Sequence, residues 1–307
     1  MNNFDIYVDS AANLTEGMIK ETGIKVIPFT CTVNGEERLC YEEGVPFSET
    51  AKKFYEDMLN NADIKTSLVS QAAFEEALEG SLSQGRDALL ITITQTLSGT
   101  YAQAEKARKA LSEKYPDAKV YVADAANASL GQGLVAYYAA KQRESGCSAE
   151  ECYKWVEDNK YRVNSYVTID DLKYLRKSGR VSTILAVAGA ILNIKPMLKA
   201  DGACPATLAV YSKERGRRKS IDELVNQFTN NVIEPENQTI AITHCNCEGD
   251  AQALAERLKQ LGAKDVVIEY YDMCTGSHVG PGTLALFFLG KDRRQPATSE
   301  KKLFGRK

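Results

Sequence analysis

Short runs of β-branched and aromatic residues alternate with stretches of helical spacing along this 307-residue chain, and no other feature narrows the fold as much. The strand-like runs are FDIYVD (4–9), IKVIPFTCTV (24–33), ALLITIT (88–94), KVYVAD (119–124), RVNSYVTI (162–169), TLAVYS (207–212), QTIAITHC (238–245) and KDVVIEYY (264–271). Between them, residues 48–59, 98–111, 131–144, 221–232 and 250–261 carry apolar residues at helical intervals. A strand that feeds a helix, repeated, lays successive strands parallel with helices on the sheet faces. The expectation is therefore an α/β fold with a mostly parallel sheet. Residues 88–94 are nearly continuous in apolar and β-branched side chains, as befits a strand covered on both faces, and belong near the centre of the first sheet.

A chain of this length fits about two domains. An amphipathic helix is expected from Ser148, with Glu150 and Glu151 in its first turn, and a new strand follows at 162–169. That places a boundary near residue 165: an N-terminal α/β domain over 1–165, a C-terminal α/β domain over 166–290, and any ligand between them. The last stretch, KDRRQPATSEKKLFGRK (291–307), has little to bury and is expected to be a disordered basic tail.

Charge excludes some partners. Acidic and basic residues make up 26% of the chain and the net charge is only -3, so nothing favours nucleic acid or an anionic membrane. No run reaches the ~18 apolar residues that span a bilayer, and the start lacks a basic segment followed by an apolar one, so the expected location is cytoplasmic. Eight scattered cysteines are then read as free, mostly buried thiols. His244-Cys245-Asn246-Cys247 comes nearest to a metal pattern, but two thiols on one strand face do not make a zinc site, and no metal or cofactor is expected.

In open α/β sheets ligands bind beyond the carboxyl ends of strands. Small hydroxyl residues gather there: Asp9-Ser10 after the first run, Thr66-Ser67 in IKTSLVS, and Thr94 to Thr100 after ALLITIT. Ser98 can be the N-cap of the next helix, or with neighbouring N–H groups can hold an anionic oxygen. TLSGT lacks the first glycine of G-x-S-x-G, so a serine esterase or thioesterase using Ser98 and His278 stands as the alternative function. Gly131-Gln132-Gly133 is half a dinucleotide fingerprint, with Ala136 in place of the third glycine, and no GxxxxGK[ST] exists. YLRKSGRVS (174–182) sets three cations before a stretch of small and aliphatic residues, 182–198, read as a helix capped by Ser182. CTGSHVGPGT (274–283) holds one of only two histidines and reads as a strand end breaking into a glycine-rich turn.

In order, DSAANL (9–14), IPF (27–29), KTSLVS (65–70), LSGTYAQA (97–104), DLKYLRKSGRVS (171–182), NIKPML (193–198), THCNCEGDA (243–251) and GSHVGPGTLALFFLG (276–290) resemble the DegV family of bacterial fatty-acid-binding proteins. The resemblance runs from about residue 3 to 290. It implies a two-domain α/β protein that holds one long-chain fatty acid, acyl chain buried and carboxylate near the surface. It implies further a carrier without stand-alone catalysis or an ATP site, which presents the carboxylate to a separate ATP-binding fatty-acid kinase subunit for acyl-phosphate formation. The residues matching the family's carboxylate site are Thr66, Ser98 and His278, and Arg180 matches an arginine at its rim.

The set is chemically coherent, because a carboxylate entering an apolar tunnel must be hydrogen-bonded. Each CH₂ of the chain gains on the order of 0.8 kcal/mol on burial, so the tail supplies affinity and the polar set fixes which end faces out. Two departures stand out. Leu68-Val69 replaces the family's Gln-Pro beside Thr66, and Ser178 replaces the first glycine of its GGR.

Overall fold

The structure is a computed structural model and describes residues 4–180 and 193–295. Along the chain lie β1 (Phe4–Asp9), α1 (Glu16–Thr22), β2 (Lys25–Ile27), β3 (Thr30–Val33), β4 (Glu36–Leu39), α2 (Ser48–Leu59), β5 (Ile64–Ser67), α3 (Gln71–Leu82), β6 (Asp87–Thr92), α4 (Thr100–Lys114), β7 (Val120–Asp124), α5 (Leu130–Glu144) and α6 (Ala149–Asn159). Then come β8 (Val163–Thr168), α7 (Leu172–Ser178), β9 (Ile194–Ala200), β10 (Leu208–Arg215), α8 (Arg217–Asn231), β11 (Thr239–His244), α9 (Glu248–Gln260), β12 (Asp265–Tyr270), α10 (Met273–Val279) and β13 (Leu284–Leu289).

The α/β architecture expected from the alternation is present, in two main sheets. The first, ordered β2-β1-β6-β7, is parallel throughout, and ALLITIT supplies an inner strand. Every residue of β6 after Asp87 is buried, as a strand covered on both faces requires. The second sheet, β10-β9-β8-β13-β11-β12, is antiparallel except for its β11–β12 edge. Its inner strand β13 and the strand β9 were not separable from neighbouring motifs by spacing. The IKPML of NIKPML (194–198) belongs to β9, not to the end of a helix, and Ser182 and the rest of 181–192 lie outside the described residues. The boundary expected near 165 falls inside β8, which belongs wholly to the second sheet.

The run IKVIPFTCTV is not one strand. Pro28 cannot donate to a ladder, and Phe29 N–H turns to Ser10 Oγ at 3.0 Å. The chain therefore leaves the first sheet at Ile27 and restarts in a small antiparallel sheet, β4-β3-β5. That small sheet carries Thr66 on β5, opposite Cys31.

Between the two main sheets runs α5, which contacts β1 and β6 on one side and β8, β11 and β13 on the other. Its first seven residues are all buried. This use explains Gly131-Gln132-Gly133. A Cβ on Gly133 would stand 2.5 Å from the Ala12 carbonyl, so the glycine serves close packing, with no room for a phosphate. The helix from Ser148 appears with its capping box complete: Ser148 Oγ accepts from Glu151 N, and Glu151 accepts from Ser148 N.

The start of the expected tail is packed. Arg293 sends Nη1 to the Asp201 carbonyl at 2.6 Å and Nη2 to that of Ala126 at 2.9 Å, and lies over the Tyr161 ring. A guanidinium finds carbonyls to cap even where composition looks disordered. Residues 296–307 lie outside the described residues.

Candidate ligand-binding site

Beyond the carboxyl ends of β1 and β6, facing the second sheet, lies a cavity of ≈ 290 Å³. Its wall is made by Phe29, Ile93 and Leu97 from the first half, and by Val167, Leu208 and Phe287 from the second. Thr66, Ser98, Arg180 and His278 all line it. Four segments spread over more than 200 residues thus converge on one space.

Thr66, Arg180 and His278 also line an outer groove of ≈ 460 Å³ to which Lys65, Lys173 and Lys177 contribute. These three residues therefore mark the mouth, where an apolar cavity meets a basic surface. The deeper polar residues have their hydrogen bonds satisfied by protein. Ser165 Oγ donates to Asn127 Oδ1, and Ser129 Oγ to Asn13 Oδ1 at 2.7 Å, while Thr275 Oγ1 donates to Asp272 Oδ2 at 2.9 Å. What remains for a ligand is largely apolar inside and polar at the mouth.

His278 stands in the last turn of α10, which replaces the turn expected for CTGSHVGPGT. Asp272 caps this helix, accepting from Thr275 N at 2.8 Å, and holds Asn13 Nδ2 at 2.9 Å, so the helix is tied to the loop after β1. The Asp-x-x-Thr spacing at 272–275 was the available signal, hidden by the glycines. Gly276 and Gly280 have local reasons. A Cβ on Gly276 would stand 2.1 Å from Tyr55 Oη, which donates to the Tyr271 carbonyl. Gly280 ends the helix at φ +86, hard against Tyr174.

His278 Nε2 lies 3.0 Å from Thr66 Oγ1. Burial, and then the Arg180 charge, pull its pKa down to about 4, so the ring is neutral near pH 7. Ser98 does not cap α4: Gly99 occupies the N-cap position, and Ser98 Oγ lies 2.8 Å from Thr100 Oγ1 and accepts from Thr100 N. Nucleophilic serine chemistry asks for a base on the hydroxyl. Here the serine pairs with Thr100 and the histidine with Thr66.

Arg180 is exposed and sends Nη1 back to the Ser178 carbonyl. The departure at Ser178 is benign, because Ser178 ends α7 in helical conformation and the left-handed residue is Gly179, at φ 66. The other departure has an effect. Leu68 lines the cavity and packs over Gly99, extending the apolar lining beside Thr66, while Val69 is buried in the core.

Sequence reasoning missed a buried polar strut beneath the site. Asp9 accepts from Ile93 N, Ala11 N and Gln132 Nε2, and burial raises its pKa to about 7. Burial likewise raises Asp272 to about 6. No short-range pattern announces a contact between residues 13 and 272. His244-Cys245-Asn246-Cys247 serves packing: Cys247 Sγ meets Arg217 Nη2 and the Thr283 carbonyl, both at 3.3 Å. Among the described residues no group of three or more His, Cys, Asp or Glu could hold a metal. Nor is any described helix long and apolar enough to cross a membrane.

Comparison with known proteins agrees with this architecture. A DegV domain-containing protein of Clostridium perfringens is 39% identical over 297 residues, covering 96% of this chain and all of the relative. One of Streptococcus pyogenes is 30% identical over 95% of this chain and 99% of its own length. Among solved structures, a DegV lipid-binding protein from Thermotoga maritima superposes with a TM-score of 0.79 at 25% identity, covering 95% of this chain and 99% of the other. DegV from Bacillus subtilis, a fatty-acid-binding protein, gives 0.77 at 25% identity, over 94% and 99%. A family model described as an uncharacterised protein of the DegV family matches residues 3–291, and on that near-complete match the chain belongs to the DegV family.

Proposed function

We propose that this protein binds one long-chain fatty acid in the cavity between its two sheets. The observation that carries the reading is the cavity itself, apolar within and bounded at its mouth by Thr66, Arg180 and His278. The lipid- and fatty-acid-binding relatives support it. In this reading the two sheets organise two domains that meet at the ligand. Thr66, Ser98 and His278 hydrogen-bond the carboxylate, and the acyl chain fills the apolar interior. A carboxylate beside the neutral His278 favours its protonation, so binding takes up a proton at the imidazole when the pH lies below the raised pKa.

The basic groove outside the mouth supports a second step. We propose that the carboxylate is presented there to an ATP-binding kinase subunit that forms the acyl phosphate, the carrier itself performing no chemistry, in the cytoplasm. Ester hydrolysis by Ser98 and His278 is disfavoured by their separate hydrogen-bond partners.

Native mass spectrometry of protein purified from a bacterial host tests the first step. A bound fatty acid, recoverable by extraction, is expected; an apo mass with none recoverable overturns the reading. Arg180→Ala tests the second: it should retain lipid and lose phosphorylation in a reconstituted assay. Loss of lipid would put Arg180 in the carboxylate site instead.

A further inference from the structure

The loop between β9 and β10, residues 201–207, reaches from the second sheet across to the strand ends of the first. Thr94 Oγ1 and Thr96 Oγ1, from the segment after β6, both donate to the Ala206 carbonyl, at 3.0 and 2.7 Å. Tyr161 Oη donates to the Ala203 carbonyl at 3.0 Å. The loop is also closed on itself. Asp201 Oδ1 accepts from Ala203 N at 3.1 Å and from Thr207 N at 2.9 Å, and Asp201 N donates to the Thr207 carbonyl at 2.9 Å.

Arg293 fixes the loop from another side. Its guanidinium joins the Asp201 carbonyl to that of Ala126, which follows β7. A Cβ on Gly202 would stand 2.2 Å from the Arg293 carbonyl oxygen, so the two backbones are in contact. A loop whose polar groups are paired in this way has little freedom to yield.

The loop borders the ligand cavity. Ala126, Ala206 and Thr207 line it, whereas the described lining of the outer groove shares only Thr66, Arg180 and His278 with it. The three polar residues thus mark the mouth, and the loop belongs to the interior. Ala126 and Ala206 are 2% and 1% exposed and pack with Tyr161, which does not line the cavity. Two methyl groups therefore form a partition, with the cavity before it and an aromatic ring behind it.

We infer that this partition is the stop for the acyl chain, and that Ala206 sets the longest chain the protein accepts. The inference rests on the fatty-acid reading: with the carboxylate held at Thr66, Ser98 and His278, the methyl end of the chain lies inward. Each buried CH₂ strengthens binding by about fourfold, so affinity rises with chain length until the chain meets a wall that does not yield. The size of residue 206 decides where that happens. A longer side chain there meets the Tyr161 ring on one side and finds its room in the cavity, where it takes the place of the last carbons of the ligand.

Competition against a fluorescent fatty acid, run through the straight-chain saturated acids from lauric to arachidic, reads the stop. For the parent, affinity should rise about fourfold per CH₂ to an optimum and then fall. Ala206→Leu should move that optimum to shorter acids, with the shortest acids bound as in the parent, and Ala206→Gly should move it to longer ones. An unmoved optimum in folded Ala206→Leu, or an equal loss for every acid, overturns the stop. Circular dichroism checks the fold, and where Ala206→Leu does not fold, Ala206→Gly decides: an unmoved optimum overturns the stop there too. A parent that binds no acid of the series overturns the fatty-acid reading and the stop with it, whereas a parent that binds them beside variants of unchanged optimum overturns the stop alone.

Discussion

His244 at the end of β11 and His278 at the end of α10 share one electrostatic property and differ in almost everything else. Burial pulls both down to about 4. His244 is only 2% exposed, its ring is 4.2 Å from that of Tyr270, and its Nδ1 has no hydrogen-bond partner among the described residues. His278 is partly exposed, pairs with Thr66 from a segment 212 positions away, and borders a space that protein does not fill. A depressed histidine pKa, set chiefly by burial in both rings, thus does not by itself mark a site. A site additionally needs room for a ligand, and polar groups brought to the edge of that room by distant parts of the chain.

The sharpest way to break this comparison is to truncate each ring. His244→Ala should lower unfolding free energy by about 2–4 kcal/mol, as truncation of a packed ring does, and leave fatty-acid affinity unchanged. Chemical denaturation together with a lipid-binding titration reads both effects. His278→Ala should do the reverse, weakening fatty-acid binding by about 1.5–3 kcal/mol, since a bond to a charged group is lost, with a smaller change in stability. Equal loss of lipid by both variants would dissolve the distinction.

The pH dependence of stability sharpens it further. A histidine at about 4 when folded and 6.5 ordinarily binds its proton in the unfolded state first, so between those values it adds stability as pH rises. Asp9 and Asp272, raised from 3.8 to about 7 and about 6, do the opposite: the folded state holds their protons longer, and they lose stability as pH rises through the same window. Two groups of each kind oppose one another, so ligand-free protein should vary little between about pH 4.5 and 6. His278→Ala removes one opposing proton, and its stability should fall by about 1.4 kcal/mol per pH unit across that window. Asp9→Asn should tilt the curve the other way; matching slopes in parent and variants would refute the assignment.

The smallest effect is expected at the hydroxyls. Thr66→Val and Ser98→Ala should each weaken fatty-acid binding by about 0.5–1.5 kcal/mol, the net worth of one hydrogen bond. Thr66→Val has a second readout, because removing the partner of His278 Nε2 alters the titration of that ring by NMR while leaving His244 untouched.

Much of the framework was legible. FDIYVD, KVYVAD and ALLITIT read as strands because parallel strands buried on both faces need unbroken apolar runs, and the capping box at Ser148 and Glu151 announced α6. Where the reading slipped, a local signal was ambiguous. Pro28 split one run between two sheets, glycines disguised α10 as a turn, and Arg293 anchored a segment whose composition promised disorder. The order of motifs marked the family, and Thr66, Ser98, Arg180 and His278 could each be named from it.

The sequence by itself determined the elements and the kinds of side chain offered at their ends, because spacing, capping and strand burial are set by residues a few positions apart. Only the tertiary structure decided that residues 66, 98, 180 and 278 border one cavity, that His278 faces Thr66 while His244 faces Tyr270, and that Asp272 ties α10 to Asn13. Those contacts join positions separated by up to 259 residues, and the packing of whole sheets around α5 sets them.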